Sequence, residues 1–434
     1  CDKIFYKRFY LHFYDNIFYR RYYTKFTKIF FMEDITMIIK RDKYMKFLNE
    51  FKDNDAIKVI TGIRRSGKTF LMNMFIDQLK DEGIHDDQII HINFEDLAFN
   101  DIRNEMDLYK YVHDHENKEK KNYLFFDEIQ NVQNWEKAIN SFRVDMDADI
   151  YITGSNSYLL SGEMATLLSG RYVELKVYPL SFKEYYDYKK GTPQTTYKLF
   201  TDYIVDGGFP AVDIAPNEDL KTALKRGIFD SVVLRDIALR SNTRDDKAIV
   251  AIIEYLMGEI GSPISATNIS NTLRSNGFKT TTSTVISYLN LLQQSYLFYE
   301  AKKYSIRGKK LLSTLGKYYV ADTGLRNTRL NKNYRDNLGH QIENIVFIEL
   351  LRRGYNVDVG DYSGKEIDFV ARKGNEIKYY QVTEHLPEGS TRETDNLRYI
   401  PDGYQKTVLS LSQFDEGTVD GIAVKYLIDW LLEE

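Results

Sequence analysis

The sequence predicts an α/β fold in which a mainly parallel sheet, covered by helices on both faces, precedes a helical segment and further α/β modules. The first supporting observation is that short apolar runs alternate with helical patterns between residues 56 and 177. The second is a glycine-rich loop after the first apolar run. The third is a pair of acidic residues at the end of a later apolar run. Strands that alternate with helices form crossover units and therefore a parallel sheet.

Each element of this first region follows from its local pattern. Residues 34–51 predict a leading helix or short lead-in, because apolar residues recur at helical spacing up to a polar turn. We assign residues 34–185 to the core. Within it, a helix is predicted at Thr69–Leu79 and strands are predicted at Ala56–Thr61, Gln88–Phe94, Asn122–Phe126, Asp149–Thr153 and Arg171–Val177.

Composition restricts the class of protein. The chain has 434 residues, of which 43% are hydrophobic, so it is long enough for two or three domains. Its formal net charge of -4 at pH 7 gives no global attraction to nucleic acid, so any contact with DNA must be local. Cys1 is the only cysteine, which excludes an intrachain disulfide and a cysteine-based zinc cluster and fits a reducing compartment. We expect a cytoplasmic protein.

The first 31 residues form a tract biased towards Phe, Tyr, Lys and Arg. Basic residues interrupt its apolar runs, so none reaches the length of a secretory signal or a membrane span. One interpretation is that translation naturally begins at Met32, and residues 1–33 are then an extension that is not native. The alternatives are a truncated sequence and a basic-aromatic arm that lies on a membrane surface or on nucleic acid.

The glycine-rich loop spans Gly62 to Thr69 and matches the eight-position phosphate-binding loop, or P-loop, between a strand and a helix as that motif requires. In this motif backbone amides face the phosphates, Lys68 reaches the β and γ phosphates, and the Thr69 hydroxyl is a ligand for Mg²⁺. The N-terminus of the next helix adds favourable charge. A polar turn is the alternative. The prediction is a P-loop NTPase core that binds ATP and Mg²⁺ through Gly62, Ile63, Arg64, Arg65, Ser66, Gly67, Lys68, Thr69 and Phe70.

Two carboxylates follow an apolar run about sixty residues after the P-loop. The run Tyr123 to Phe126 ends in Asp127 and Glu128, as expected when a core strand delivers two acids beside the phosphates. Asp127 would hold Mg²⁺ through water, and Glu128 would orient and polarise the attacking water. A solvated acidic pair at a strand end is the alternative. The pattern predicts an ATPase that cleaves the β-γ phosphoanhydride, with Lys68 and Glu128 as catalytic residues.

Two further positions are candidate catalytic residues. Ser155 or Asn156 follows the strand that ends at Thr153, so either could sense the γ phosphate; a plain turn is the alternative. Arg171 follows Gly170 before the next strand, and an arginine there could neutralise charge at the nucleotide of a neighbouring subunit. That role requires a homo-oligomer, and an exposed ion-pairing arginine is the alternative.

The pattern changes after Pro179. Helices are predicted at Phe182–Tyr188, Leu220–Ser241 and Asp246–Gly258, and residues 186–260 are interpreted as a helical connector or lid. Residues 261–330 predict a winged-helix-like domain, in which Ser265 begins one helix and Thr281–Gln294 forms another. β-rich segments follow at Leu297–Tyr304 and Lys317–Val320. In residues 331–434 we expect a helix at His340–Arg353, strands at Val357–Tyr362, Glu366–Ala371 and Ile377–Thr383, and a closing helix at Gly421–Leu432.

The winged-helix-like segment carries a basic patch of Lys302, Lys303, Arg307, Lys309 and Lys310, with Thr280–Thr284 ahead of a helix. Such residues position DNA through phosphate contacts rather than by sequence reading. DNA is therefore one expected partner and a protein is the other.

In the P-loop, at the acidic end of the later strand and in several further segments, the sequence resembles the AAA-type ATPases of bacteria and archaea that carry a C-terminal domain of uncharacterised role. The resemblance spans roughly Asp34 to the C-terminus. It implies an additional-strand P-loop ATPase core, a winged-helix segment and a C-terminal domain similar to restriction endonucleases. The segments that carry it are Gly62–Thr69, Phe125–Gln130, Thr153–Ser155, Gly170–Tyr172, Tyr178–Phe182, Gly207–Pro210, Arg235–Ile237 and Tyr319–Gly324.

The nuclease pattern of that domain requires a helix acid, a strand Asp and an acid-x-Lys pair. Glu343 and Asp368 supply the first two, but Gln381 and Thr383 stand where the third acid and the lysine are expected. Substitution by Glu384 or Lys378 would require a shifted geometry. We therefore expect a catalytically degenerate endonuclease-like domain at residues 331–434.

The leading functional hypothesis is an ATP-hydrolysing switch, in which the nucleotide state changes the placement of the later domains on a DNA or protein partner. A nucleotide-stabilised binding module with negligible turnover is the alternative, and an ATP-dependent nuclease is a third reading.

Overall fold

The computed structural model describes residues 39–155, 157–160, 168, 170–233, 237, 246–312, 315–386 and 392–433. The chain divides into two compact units, residues 1–40 and residues 41–434, and the account below concerns the second. The predicted extension at residues 1–33, Asn156 and the end of the helix predicted at Leu220–Ser241 lie outside the described residues.

A five-stranded parallel sheet forms the N-terminal core, in the order β2-β3-β4-β1-β5. Every residue of β1 and β3 is buried, which agrees with the continuous apolar runs of a sheet covered on both faces. β4 lies between the P-loop strand β1 and the acidic strand β3. The strands are β1 (Ile57–Thr61), β2 (Ile89–Asn93), β3 (Asn122–Asp127), β4 (Ala148–Gly154) and β5 (Tyr172–Lys176).

Four helices cover the two faces of this sheet. On one face Leu71 and Phe75 pack with Ile60 of β1 and Phe125 of β3. On the other face the buried residues Trp135 and Phe142 pack with strand residues that point the opposite way, as the period of two requires. The helices are α1 (Asp42–Glu50) and α2 (Lys68–Asp81) on the first face, and α3 (Glu105–His115) and α4 (Trp135–Asp145) on the second.

A helical region and a small antiparallel sheet follow. The helices are α5 (Phe182–Lys189), α6 (Thr196–Asp206), α7 (Pro210–Asp213), α8 (Glu218–Ser231), α9 (Asp246–Gly258), α10 (Ala266–Ser275) and α11 (Thr282–Gln294). The Ser265 hydroxyl caps α10 by accepting from the Asn268 amide at 3.0 Å, at the predicted helix start. The sheet has the order β6-β10-β7, with β6 (Pro263–Ile264), β7 (Phe298–Ala301) and β10 (Gly316–Val320).

The C-terminal sheet has eight strands in the order β15-β16-β14-β13-β12-β11-β8-β9. Its first two strands in the chain, β8 (Lys303–Ser305) and β9 (Lys310–Leu311), come from the segment predicted as winged-helix-like. The other strands are β11 (Asn356–Tyr362), β12 (Lys365–Lys373), β13 (Glu376–Thr383), β14 (Gln405–Ser410), β15 (Gly417–Val419) and β16 (Ile422–Tyr426). The helices of this region are α12 (Thr323–Leu330), α13 (Leu338–Arg352), α14 (Arg392–Arg398) and α15 (Leu427–Leu432).

The closing helix predicted at Gly421–Leu432 is wrong in its first half. Residues 422–426 form β16, which pairs parallel with β14, and only Leu427–Leu432 is helical. Ile422 and Val424 are buried while Ala423 is partly exposed, which is strand periodicity over a run too short to distinguish from a helix turn. No described helix is both long and apolar enough to span a bilayer.

Candidate nucleotide site

The P-loop connects the carboxyl end of β1 to the start of α2. Gly62 has φ +141°, and a Cβ atom there would lie 2.0 Å from the carbonyl oxygen of Val177. Gly67 has φ +97°, in the region that favours glycine. The loop can therefore approach the neighbouring strand and turn into α2 only because both positions lack a side chain.

Positive charge is concentrated inside this loop. Lys68 is buried, and its ammonium donates to the carbonyl oxygens of Gly62 at 3.0 Å and Ile63 at 3.3 Å. The Ser66 hydroxyl is buried and has no hydrogen-bond partner among the described residues. Arg64 forms an ion pair with Glu95 at 2.9 Å. A buried ammonium, an unsatisfied hydroxyl and the N-terminus of a 14-residue helix form an environment that fits a phosphate group.

The predicted metal ligands Thr69 and Asp127 lie against each other. The Thr69 hydroxyl donates to Asp127 Oδ2 at 2.7 Å, and the Thr153 hydroxyl donates to Asp127 Oδ1. Burial raises the pKa of the Asp127 carboxyl, against the effect of these two hydroxyl donors. Paired hydroxyl and carboxylate oxygens are the donors that Mg²⁺ prefers, so the set fits that ion. Among the described residues, no group of three or more His, Cys, Asp or Glu side chains forms a metal cluster.

Glu128 is held next to this pair by an unusual backbone. Its φ is +53°, and its amide donates to the Thr153 hydroxyl at 3.0 Å. The Gln130 side-chain amide donates to one of its carboxylate oxygens. Glu128 as a whole residue is 8% exposed. Because it is buried and its carboxylate accepts this hydrogen bond, the carboxylate is oriented before any ligand binds.

Arg171 is not brought together with the P-loop of its own chain. It precedes β5, which pairs parallel with β1 from Ile57↔Tyr172 to Thr61↔Lys176. Arg171 therefore lies at the amino ends of these strands, whereas Gly62 lies at their carboxyl ends. There it is exposed, with Asn140 Oδ1 at 3.5 Å from its guanidinium. A role in trans stays a prediction.

The remaining predicted positions differ in their surroundings. Ser155 is buried, and its hydroxyl has no hydrogen-bond partner, while Asn156 lies outside the described residues. Phe70 is 47% exposed at the start of α2, next to the P-loop.

Sequence reasoning missed three residues that shape the site: Thr153, Gln130 and Arg41. The sequence identifies Thr153 as the end of a strand and as part of a resembling segment, and Gln130 as part of another such segment, without indicating a role for either. The Arg41 guanidinium donates to the carbonyl oxygen of Ser66 at 3.1 Å and to that of Tyr178 at 2.9 Å. No sequence signal indicates this contact, because it depends on how α1 packs.

The acids of the C-terminal sheet form a second polar cluster. Lys317 of β10 pairs with Glu343 at 3.1 Å and with Glu366 at 2.9 Å, and the Tyr319 hydroxyl donates to Glu343 at 2.6 Å. The pKa of Asp368 is raised well above its ordinary value by burial and then by the charge of Glu343. Lys317 precedes both acids in the chain and lies outside the nuclease motif, so sequence reasoning did not find it.

Comparisons with known proteins agree with the first site. A family model described as an AAA domain matches residues 54–186, and one described as a domain of unknown function matches residues 197–336. The AAA match supports ATP binding by residues 54–186.

Two solved structures are similar to the chain at low sequence identity. A Walker-type ATPase of Pyrococcus abyssi is 16% identical with a TM-score of 0.47, and the match covers 67% of this chain and 96% of that one. AMPPCP-bound DnaA from Aquifex aeolicus is 12% identical with a TM-score of 0.30, and the match covers 58% and 86%.

Two relatives match most of the chain. An uncharacterized protein of Haemophilus influenzae is 46% identical over 399 residues, which are 91% of this chain and 99% of that protein. An uncharacterized protein of Methanocaldococcus jannaschii is 31% identical over 356 residues, 79% of this chain and 74% of that protein. On this degree of identity over most of its length, the chain belongs to the same family as these bacterial and archaeal relatives, and its own residues 54–186 match the AAA domain.

Proposed function

We propose that the chain is an ATP hydrolase that uses turnover to switch the arrangement of its later domains on a partner. The observation that carries the proposal is the contact between the Thr69 hydroxyl and Asp127, with the oriented carboxylate of Glu128 next to it, at the sheet edge where the P-loop begins. Phosphoryl transfer needs mainly positioning and charge stabilisation, and these residues supply both.

Each residue has a separate role in this proposal. The amides of residues 62–67 and the Lys68 ammonium hold the phosphates, and Thr69 and Asp127 hold Mg²⁺, which neutralises phosphate charge when bound. Glu128 accepts a hydrogen bond from the attacking water and polarises it. Gln130 keeps the Glu128 carboxylate in position, and Thr153 holds both acids through its hydroxyl. Ser155 or Asn156 senses the γ phosphate, and Arg171 acts on the nucleotide of a neighbouring subunit.

The partner in this proposal is DNA or a protein, bound by the winged-helix-like segment. Lys302, Arg307, Lys309 and Lys310 are exposed, and they lie in or beside the β8–β9 hairpin at one edge of the C-terminal sheet. Exposed cations on an edge hairpin can reach phosphates without a positive net charge on the whole chain.

ATP turnover by the full chain tests the enzyme. We expect Glu128→Gln to lower turnover about 100-fold or more while ATP still binds, because one positioned group in the reaction contributes that much. Glu119→Gln, an exposed acid of the same domain, is the matched control and should keep full turnover. Lys68→Ala should abolish binding.

Two outcomes would redirect the proposal. If the native chain binds ATP through Lys68 but does not turn it over, with or without duplex DNA, the protein is a nucleotide-stabilised binding module instead. If the specific activity of the native chain does not depend on protein concentration and Arg171→Ala leaves it unchanged, the role in trans is wrong.

For the C-terminal sheet we propose a restriction-endonuclease-like domain that does not cleave. Gln381 and Thr383 replace an acid and a lysine of the nuclease pattern, and the ammonium of Lys317 pairs with Glu343 and Glu366. Duplex and single-stranded DNA should survive incubation with the protein, Mg²⁺ and ATP. Cleavage that is lost in Asp368→Asn would instead support the nuclease reading.

A further inference from the structure

A cavity of about 380 Å³ opens on the C-terminal domain, where the end of α13 meets β13, β14, β16 and α15. Five cationic side chains line it: Lys43, Arg353, Lys373, Lys378 and Lys425. The lining acid is Glu433. This cationic pocket belongs to neither the P-loop nor the Lys317 cluster. Glu343 is nine residues before Arg352 on α13, about 14 Å along the helix axis.

Two of the cations point at backbone rather than at carboxylates. Lys43 donates to the carbonyl oxygen of Arg352, and Lys373 donates to that of Arg353 at 3.0 Å. Cations at a helix C-terminus stabilise it, so these contacts explain part of the arrangement. They do not neutralise the two ammonium charges, because a carbonyl dipole is not a counter-ion.

Each of the other three cations forms an ion pair with a carboxylate. Arg353 pairs with Glu349 at 2.8 Å, and Glu349 also pairs with Arg352. Lys378 pairs with Glu376 at 2.8 Å, and Lys425 pairs with Glu433 at 2.8 Å. Among the residues that the structure describes, the five lining cations and Arg352 thus pair with three carboxylates, so cations outnumber acids around this half-enclosed space.

Lys43 is partly withdrawn from water beside these charges. Burial lowers its pKa, and the charges of Arg352, Lys373 and Arg353 lower it further, while Glu349 opposes them. An anion in the cavity would relieve the mutual repulsion of these side chains.

We propose that the cationic pocket binds a phosphate ester group, carried either by a nucleotide or by a polynucleotide. Lysine and arginine donors converge on a volume that accommodates a phosphate with its sugar. The Tyr355 ring, over which Lys373 and Lys378 lie at 5.7 and 5.5 Å, forms one aromatic wall. This site is independent of ATP turnover and of the winged-helix-like segment.

The pocket also touches the N-terminal core through α1. Lys43 lies two residues after Arg41, whose guanidinium contacts the P-loop at Ser66. A phosphate ligand bound at Lys43 would therefore contact α1, the helix next to the P-loop contact of Arg41.

The test uses the full chain carrying Lys68→Ala, so that the P-loop does not compete for the probe. The probes are AMP, measured by calorimetry, and a fluorescent single-stranded oligonucleotide, measured by anisotropy over a range of salt concentrations. The pocket variant is Lys373→Gln with Lys378→Gln, and the control of equal charge is Lys332→Gln with Lys365→Gln, both exposed.

We expect the pocket variant to bind at least one probe about tenfold more weakly than the control, with a shallower salt dependence, because two phosphate contacts are lost. Loss for AMP identifies a nucleotide site, and loss for the oligonucleotide alone identifies a polynucleotide site. Lys378→Arg should keep binding, because it keeps the positive charge that the glutamine variant removes. A role that depended only on packing of the Lys378 alkyl chain would not predict this difference. Should the double variant misfold, Lys425→Gln, whose side chain is 38% exposed, replaces it. Equal affinity of pocket and control variants for both probes overturns the proposal.

Discussion

Single hydroxyl and carboxyl groups determine how the candidate nucleotide site is held. Thr153 is the clearest case, since its hydroxyl donates to Asp127 and accepts from the Glu128 amide, both inside the protein. A buried amide that loses its acceptor costs about 1–3 kcal/mol. One side chain thus fixes two acids with different proposed roles.

Replacing Thr153 by Val keeps the shape and removes both hydrogen bonds. We expect the free energy of unfolding to fall by about 1–3 kcal/mol and ATP turnover to fall roughly tenfold, because Glu128 is no longer held. Urea unfolding and a steady-state ATPase assay measure the two effects. Thr418→Val, on the exposed strand β15, should change neither. Unaltered turnover in Thr153→Val would remove this residue from the site.

Asp213 carries a pH dependence of stability. It is buried at the end of α7, Oδ2 has no hydrogen-bond partner, and Lys189 lies 3.8 Å from Oδ1. Burial raises the pKa of its carboxyl to about 8. Because the folded pKa exceeds the unfolded one, protonation stabilises the fold at acidic pH, and this contribution is lost as the pH rises from about 4 to about 8.

Asp213→Asn removes that titration. The variant's free energy of unfolding, relative to the native chain, should rise by a few kcal/mol between pH 4 and pH 8 and then level off. Denaturant unfolding at several pH values measures the difference, in which the other titrating groups cancel. A difference that is flat with pH would mean that Asp213 is ionised throughout.

At the scale of elements, glycine has opposite effects in the P-loop and in α8. Gly62→Ala places a Cβ 2.0 Å from Val177 at φ +141°, so we expect loss of ATP binding and a loss of stability above about 3 kcal/mol. Gly227 lies within α8 with nothing within 4 Å of its added Cβ. Gly227→Ala should therefore raise stability by about 0.5–1 kcal/mol. Thermal unfolding and ATP titration of both variants test the pair, and tolerance of alanine at residue 62 would contradict the geometry.

Elements were predictable from sequence where a buried run has clear ends. β1, β3 and α9 lie within one residue of the ranges predicted from their apolar patterns. β16 was missed because it passes directly into α15 without a turn residue between them. The P-loop positions could be predicted because a local motif fixes them, whereas the contacts of Arg41 and Lys317 join residues far apart in the chain and carry no local signal.

On the scale of the whole molecule, the P-loop is part of a core that belongs to the later domains. Ile63 is fully buried in a cluster whose other members all lie between Phe209 and Leu325. A P-loop that moves with the nucleotide state must therefore disturb the packing of α9, α10 and α11.

We expect a non-hydrolysable ATP analogue with Mg²⁺ to increase amide hydrogen-exchange protection in α9 of the native chain. In Ile63→Ala this gain should fall by at least about half, because the coupling contact is shortened. Ile139→Ala, a buried isoleucine of α4 on the other side of the core, controls for general destabilisation and should keep the gain. If the native chain gains no protection in α9, the switch does not act through this contact.

The pairing of β8 with β11, and of β9 with β8, affects how the chain folds during synthesis. As the polypeptide leaves the ribosome, the hairpin at residues 303–311 emerges about 45 residues before the strand it joins, and β14 emerges before its neighbour β16. During that interval the hairpin has an unpaired edge that invites association with other nascent chains. The lysines of the hairpin and Arg307 give this edge a positive charge that repels the same edge of another chain. The basic stretch therefore also opposes association of nascent chains until the sheet is complete.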